Sequence, residues 1–237
     1  MSRQIYEEFI EADGERLRNK FLKNTNERKA LLLKGNATPY AGDSLKSTVD
    51  SGQHPASLIA CPVLIGRRLL LRRLHIDDCI PMAELANDPR LQSTTSFPAP
   101  YRIQDAEIFL QKALAGKIGL CVYAVTLEQT GQFIGVCDLH PCRLNKTDYE
   151  VGYWIGAPFW GKGYASEAAE LLVAMAFRVT PIVALYAFCL PYNFASKRVL
   201  EKVGFLPFDE AACAGDGDST MEAFILNRER WLIHCGF

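Results

Sequence analysis

From Cys61 onward the apolar positions switch repeatedly between two periods, and the switches divide the chain into elements. Residues 68–74 form a short Leu-rich strand. Asp77 or Asp78 then caps a helix to Ala86, which Asn87, Asp88 and Pro89 stop. A second helix over 104–115 carries Ala106, Phe109, Leu110 and Ala113 on one stripe. The β-rich runs 121–127 and 132–139 flank a Gly-containing turn at 128–131 and predict an antiparallel hairpin. A further turn at 145–147 leads into a strand over 149–155. Helical spacing returns at 165–178, with Ala168, Leu171, Leu172, Met175 and Ala176 in register. A strand over 182–189 and a helix over 193–203 follow, with Gly204 placed as the left-handed residue after the helix. Two strands, 205–208 and 221–227, complete the order. This order predicts an α+β fold with a mixed, mostly antiparallel central sheet flanked by helices, its parallel element being the strand–helix–strand unit near the middle.

The first 60 residues read differently. Ile5, Phe9, Leu17 and Phe21 are spaced for an amphipathic helix or two, and 35–57 is rich in Gly, Pro, Ser, Thr and Asp. The expected organisation is a partly helical N-terminal extension with a linker over 1–60, then one domain over 61–237.

Composition narrows the function classes. A net charge of -1 gives no electrostatic case for nucleic acid or an anionic membrane as partner. No apolar run approaches the roughly 18 residues that span a bilayer, and residues 1–13 hold no signal-peptide core. The eight cysteines are scattered singly without a CxxC pair, as expected of reduced thiols in a cytoplasmic protein. Cys137, His140 and Cys142 lie close in sequence, but no further short-spaced pair supplies a fourth ligand. A strand-end packing role is expected for them, and no metal. His140 is expected to be a structural histidine. A monomer or homodimer is expected.

The chemistry concentrates between Tyr149 and Ala165. A strand, Tyr149-Glu150-Val151-Gly152-Tyr153-Trp154-Ile155, runs into Gly156-Ala157-Pro158-Phe159 and then Trp160-Gly161-Lys162-Gly163-Tyr164-Ala165, which opens a helix. Free N–H groups and the dipole at a helix start make an anion site, and two glycines let a phosphate approach the backbone. The glycines are also compatible with nothing more than a tight turn. No GxxxxGK[ST] or strand-borne GxGxxG occurs, so neither a nucleotide triphosphatase nor a dinucleotide enzyme is supported.

Residues 68–231 resemble the GCN5-related N-acetyltransferases (GNAT), particularly the branch of ribosomal-protein N-terminal acetyltransferases. The matching pieces occur in order: Arg68-Leu69-Leu70-Leu71-Arg72 as first strand; Phe97-Pro98-Ala99-Pro100-Tyr101 before the second helix; 150–155 and 160–165 as central strand and pyrophosphate loop; 193–205 as second coenzyme A helix; and Asn227-Arg228-Glu229-Arg230-Trp231 as terminal strand. The resemblance implies a GNAT-type sheet and acetyl-CoA as co-substrate. It also implies an amine acceptor, peptide or small molecule, and direct attack on the thioester. Backbone near Trp154 and Ile155 is implied to bond the pantetheine arm, with the amides of Trp160, Gly161, Lys162, Gly163, Tyr164 and Ala165 holding the pyrophosphate.

Glu150 is the candidate general base, since the attacking amine must shed a proton and partial burial would raise a carboxylate's pKa. Strand alternation sets Glu150, Gly152 and Trp154 on one face, and Tyr149, Val151 and Tyr153 on the other. Asn193 is either a plain helix cap or a pantetheine contact. The resemblance puts Ser196 near the thioester sulfur as general acid, and Tyr192 is the rival donor. A non-catalytic acyl-CoA-binding regulator on the same fold is the alternative, needing the loop but neither Glu150 nor Ser196.

Overall fold

Alternating branched and aromatic residues build one sheet whose two faces are covered by separate sets of helices. A computed structural model describes residues 63–144, 148–208 and 221–236. The expected extension over 1–60 lies outside the described residues, as does the turn at 145–147. In chain order the elements are β1 (Val63–Ile65), β2 (Leu69–Arg73), α1 (Cys79–Ala86), α2 (Pro89–Gln92), α3 (Ile103–Leu114), β3 (Cys121–Leu127), β4 (Phe133–Pro141), β5 (Tyr149–Ile155), α4 (Tyr164–Val179), β6 (Ala184–Cys189), α5 (Phe194–Val203), β7 (Leu206–Phe208), β8 (Glu222–Asn227) and α6 (Arg228–His234). The eight described strands form one sheet in the order β1-β2-β3-β4-β5-β6-β8-β7, antiparallel except for the β5–β6 pair.

The two stripes read from the sequence face the core, with Phe109, Ala113 and Leu171 only partly buried, and further residues join them. Leu172, Val173, Ala176 and Phe177 of α4, with Leu200 and Val203 of α5 and Trp231 of α6, close one face over Leu71, Val125, Val151 and Leu185. Met82, Ala83 and Ala86 of α1, with Ala106 and Leu110 of α3, close the other over Ala124, Phe133 and Val136. Each large side chain so buried contributes roughly 1.5–3 kcal/mol. No helix among the described residues is long and apolar enough to cross a membrane.

Three local differences from the sequence reading have physical causes. Asp78 does not cap α1 with its side chain. Its carboxylate instead accepts from both terminal nitrogens of Arg72, at 2.8 and 2.7 Å, and from the His75 backbone N–H at 2.7 Å. β1 is too short to show a period, and forms because it can pair with β2 from Val63↔Arg72 to Ile65↔Leu70. The expected terminal strand over Asn227–Trp231 is corrected, because β8 stops at Asn227 and Arg228 begins a helix. There the Arg228 guanidinium donates to the carbonyls of Phe177, Thr180 and Ile182, satisfying backbone acceptors at and just beyond the end of α4. The helix then seats Trp231 against Phe177, ring centroids 5.5 Å apart.

The sheet is not continuous at its centre, and this creates the site. β5 pairs with β4 along all seven of its residues but with β6 only through Tyr149↔Leu185 and Glu150↔Tyr186. Beyond Glu150 the two strands part.

Candidate active site

The parted strands leave one edge of β5 without a neighbouring strand. Gly156 N–H bonds the Ile134 carbonyl and Cys142 N–H bonds the Asp148 carbonyl, which sets the phase of the β4–β5 ladder. Alternation then commits the backbone of Trp154 to β4 and turns that of Val151, Tyr153 and Ile155 away from it, toward β6 at the Val151 N–H and toward the free edge at Tyr153 and the Ile155 N–H. The expected edge contact is thus available at Ile155 but not at Trp154. Trp154 instead contributes its side chain, which packs edge-on against Phe97 and Phe133. The Ile155 carbonyl accepts the Trp160 indole N–H at 2.5 Å, tying the following loop to the strand end.

A cavity of about 330 Å³ opens along this edge. Tyr153, Trp154, Ile155, Trp160, Gly161, Gly163, Tyr164 and Ala165 line one side, and Asn193, Ser196 and Arg198 of the α5 start line the other. Gly161 and Gly163 both hold positive φ, 74° and 78°, which a side chain would strain. The first intrahelical bond of α4 runs from Glu167 N–H to the Gly163 carbonyl at 3.2 Å. The amides of Tyr164, Ala165 and Ser166 therefore precede any helical acceptor, at the positive end of a 16-residue helix. Lys162 does not line the cavity with its side chain, which rests over the Phe159 ring at 5.8 Å.

At α5, the Asn193 side-chain oxygen accepts the Ser196 backbone N–H at 3.0 Å, so the capping role is real. Its NH2 group remains the part able to serve a ligand. Ser196 Oγ lies 2.9 Å from the Tyr153 hydroxyl. Tyr153 was missed by sequence reasoning, which placed it on the opposite strand face from Glu150 without a partner. The signal was present, since the phenol and the α5 start both had to reach the α4 side of the sheet. Burial pushes the Tyr153 pKa well up, outweighing the Ser196 hydrogen bond, so its phenol stays protonated. Tyr192 is exposed and absent from the cavity lining.

Glu150 stands where β5 and β6 part, and its surroundings correct one expectation. Burial does push its carboxyl up, but His140 and Arg143 outweigh that and hold it below its ordinary value. Arg143 donates through Nε at 3.2 Å and Nη2 at 2.9 Å, and His140 Nε2 lies 3.4 Å away. His140 Nδ1 lies 2.9 Å from Asp138 Oδ2. Burial disfavours the imidazolium, yet the two carboxylates dominate and raise the His140 pKa to about 10. Asp138, His140, Glu150 and Arg143 thus form one array of alternating charge. Gly152 makes room for it: a Cβ there would lie 2.3 Å from Asp138 Oδ1 and 3.2 Å from His140 Cε1. Cys137, by contrast, is wholly buried in the core on the α4 side, on the other face of β4 from His140. Among the described residues no three His, Cys, Asp or Glu side chains converge as a metal site.

The family model for the acetyltransferase (GNAT) domain matches residues 68–206. YkkB, an uncharacterized protein of Bacillus subtilis, is 36% identical over 87 residues, covering 36% of this chain and 51% of the relative, about half its length. An uncharacterized N-acetyltransferase, p20 of Bacillus licheniformis, is 25% identical over 60% of this chain and 81% of its own. A solved structure of RimL, a ribosomal L7/L12 alpha-N-protein acetyltransferase in complex with coenzyme A, superposes with a TM-score of 0.59 at 18% identity, covering 70% of this chain and 97% of that one. With the family model spanning more than half its length, this chain belongs to the GNAT superfamily and is an acetyltransferase.

Proposed function

We propose that the chain transfers an acetyl group from acetyl-CoA to a primary amine, on a protein N-terminus or a small molecule, by direct attack of the amine. One observation carries this reading: a free strand edge, a helix-start anion loop and a paired hydroxyl face the same cavity. The coenzyme A held by RimL supports the same class of co-substrate.

When bound, the co-substrate supplies an activated acetyl thioester. The amides of Tyr164, Ala165 and Ser166, with the glycine loop before them, suit its diphosphate. The edge of β5 at Tyr153 and Ile155 suits the pantetheine arm and polarises the acyl carbonyl, while the Asn193 NH2 group steadies the arm. Leu91, Thr94 and Thr95 close the acceptor side.

Proton handling falls to Glu150 and Ser196. A primary amine is mostly protonated near pH 7 and needs a base. Glu150 takes that proton after the incoming ammonium displaces Arg143, the more exposed of its two cationic partners at 38% side-chain exposure against 29% for His140. Losing that cation raises the basicity of the carboxylate. Ser196 Oγ–H gives its proton to the departing thiolate and recovers one as the attacking nitrogen sheds its second proton, so that it ends as a hydroxyl, and the neutral Tyr153 phenol holds Ser196 in place. We place the enzyme in the cytoplasm as a monomer or homodimer.

Calorimetry with acetyl-CoA, followed by thiol release across a panel of amines, tests the proposal. Binding together with release by at least one amine is expected. Absence of binding would sink it, and an acetylated chain trapped without acceptor and identified by mass spectrometry would overturn direct attack.

A further inference from the structure

The loop before α4 takes its shape from two glycines, and the same glycines make that shape easy to lose. The Lys162–Gly163 peptide is trans and planar, so its C=O and N–H point in opposite directions. Gly163, at φ 78°, borders this plane on one side and, lacking a Cβ, tolerates the change of φ that its rotation needs. A half-turn would exchange an N–H for a carbonyl oxygen on the ligand side, and a carbonyl dipole there would repel a phosphate.

One contact selects the orientation. Arg68 Nη1 donates to the Lys162 carbonyl oxygen at 2.8 Å, which directs the Gly163 N–H away from Arg68. Arg68 is itself fixed at several points. Its Nε donates to Glu167 Oε2 at 2.8 Å, its backbone N–H donates to Glu167 Oε1 at 2.7 Å, and its guanidinium lies 4.8 Å over the Tyr164 ring. Glu167, in the first turn of α4, is only 4% exposed. The β1–β2 turn is shaped around its carboxylate, since a Cβ on Gly66 would fall 2.7 Å from Glu167 Oε1. The cation that organises the loop therefore comes from the start of β2 and not from Lys162 within it.

We infer that Arg68 and Glu167 are positioning residues for the co-substrate: the pair turns the Lys162 carbonyl toward Arg68 and so leaves the Gly163 N–H for the diphosphate. The inference rests on the reading of this loop as the coenzyme A site. Arg68 acts through the backbone, so its loss changes affinity rather than the chemical step.

The test uses the full chain as wild type, Arg68→Met, Arg68→Lys and Glu167→Gln. Three readouts are needed: coenzyme A affinity by calorimetry, kcat and KM for acetyl-CoA, and amide hydrogen exchange over 161–166 without ligand. For Arg68→Met, the coenzyme A Kd and the acetyl-CoA KM are expected to rise about tenfold with kcat within twofold, the loss of roughly one charge-assisted bond. Loop exchange is expected to speed up. Arg68→Lys recovers little, because one ammonium cannot reproduce the planar fork that serves Glu167 and Lys162 together. Glu167→Gln, nearly isosteric, gives an intermediate effect and serves if Arg68→Met does not fold. Unchanged exchange with intact coenzyme A affinity, or a fall in kcat at unchanged KM, overturns the inference alone. A wild type that binds no coenzyme A overturns the co-substrate reading, and the ligand half of this inference with it.

Discussion

The two ends of the candidate active site are built from different materials. The loop and α4 start offer backbone amides, shaped by Gly161 and Gly163 and fixed from outside by Arg68. The fork at Glu150 offers side chains, four charged groups drawn from β4, β5 and the turn between them. Backbone donors keep their charge at any pH and need only a conformation. The charged array needs every member, and its character depends on which partner is present. The first end is suited to holding a constant ligand, the second to exchanging a partner during a reaction.

The comparison breaks most visibly at the fork. Glu150→Gln is expected to lower kcat about 100-fold or more, the usual scale for a general base, while the acetyl-CoA KM changes less than twofold; steady-state kinetics with the best acceptor decide it. Ser196→Ala should lower kcat by about tenfold or more at unchanged coenzyme A affinity, with Tyr153→Phe giving a smaller loss in the same direction. At the other end, Gly163→Val forces a branched residue to φ 78° and should raise the acetyl-CoA KM about tenfold with little change in kcat. Opposite patterns would mean that the division between the two ends is wrong.

The pH dependence sharpens the contrast. His140 is raised from 6.5 to about 10, so its stabilisation is complete below pH 6.5 and is lost as pH rises through about 10. The melting-temperature gap between wild type and His140→Gln should therefore shrink across that interval. Glu150 is lowered from 4.5, so its contribution holds above that value and disappears as pH falls through the lower folded value. Arg143→Gln removes a cation from Glu150 in the free enzyme and should move the acid limb of kcat/KM to higher pH. Asn193→Ala, which removes a helix cap, is the smallest effect: about 1 kcal/mol in chemical denaturation.

Much of this was legible in residue order. The strands 121–127 and 149–155 coincide with β3 and β5, and α4 and α5 fall within one residue of the helical stripes. Glycines at 161 and 163 before a helix pointed to an anion site, and the N-cap and Gly204 bounded α5. The Glu150 environment was not legible. Burial alone argued for a raised pKa, and the reversal comes from Arg143 and His140, whose approach depends on strand register. Tyr153 escaped for a similar reason, because its partner Ser196 lies 43 residues away on another element. Arg228 and its helix depended on the position of carbonyls at the end of α4.

What the sequence by itself determined is therefore local: periodicity, caps and positive-φ glycines act within a few residues, so the elements and the glycine loop are written into the order. The parting of β5 from β6, the charge array around Glu150, the Tyr153–Ser196 pair and the Arg68 contact to Lys162 were decided only by tertiary structure. Each depends on how separate elements are placed against one another, and hydrogen bonds and ion pairs lose their strength within a few ångströms of misplacement.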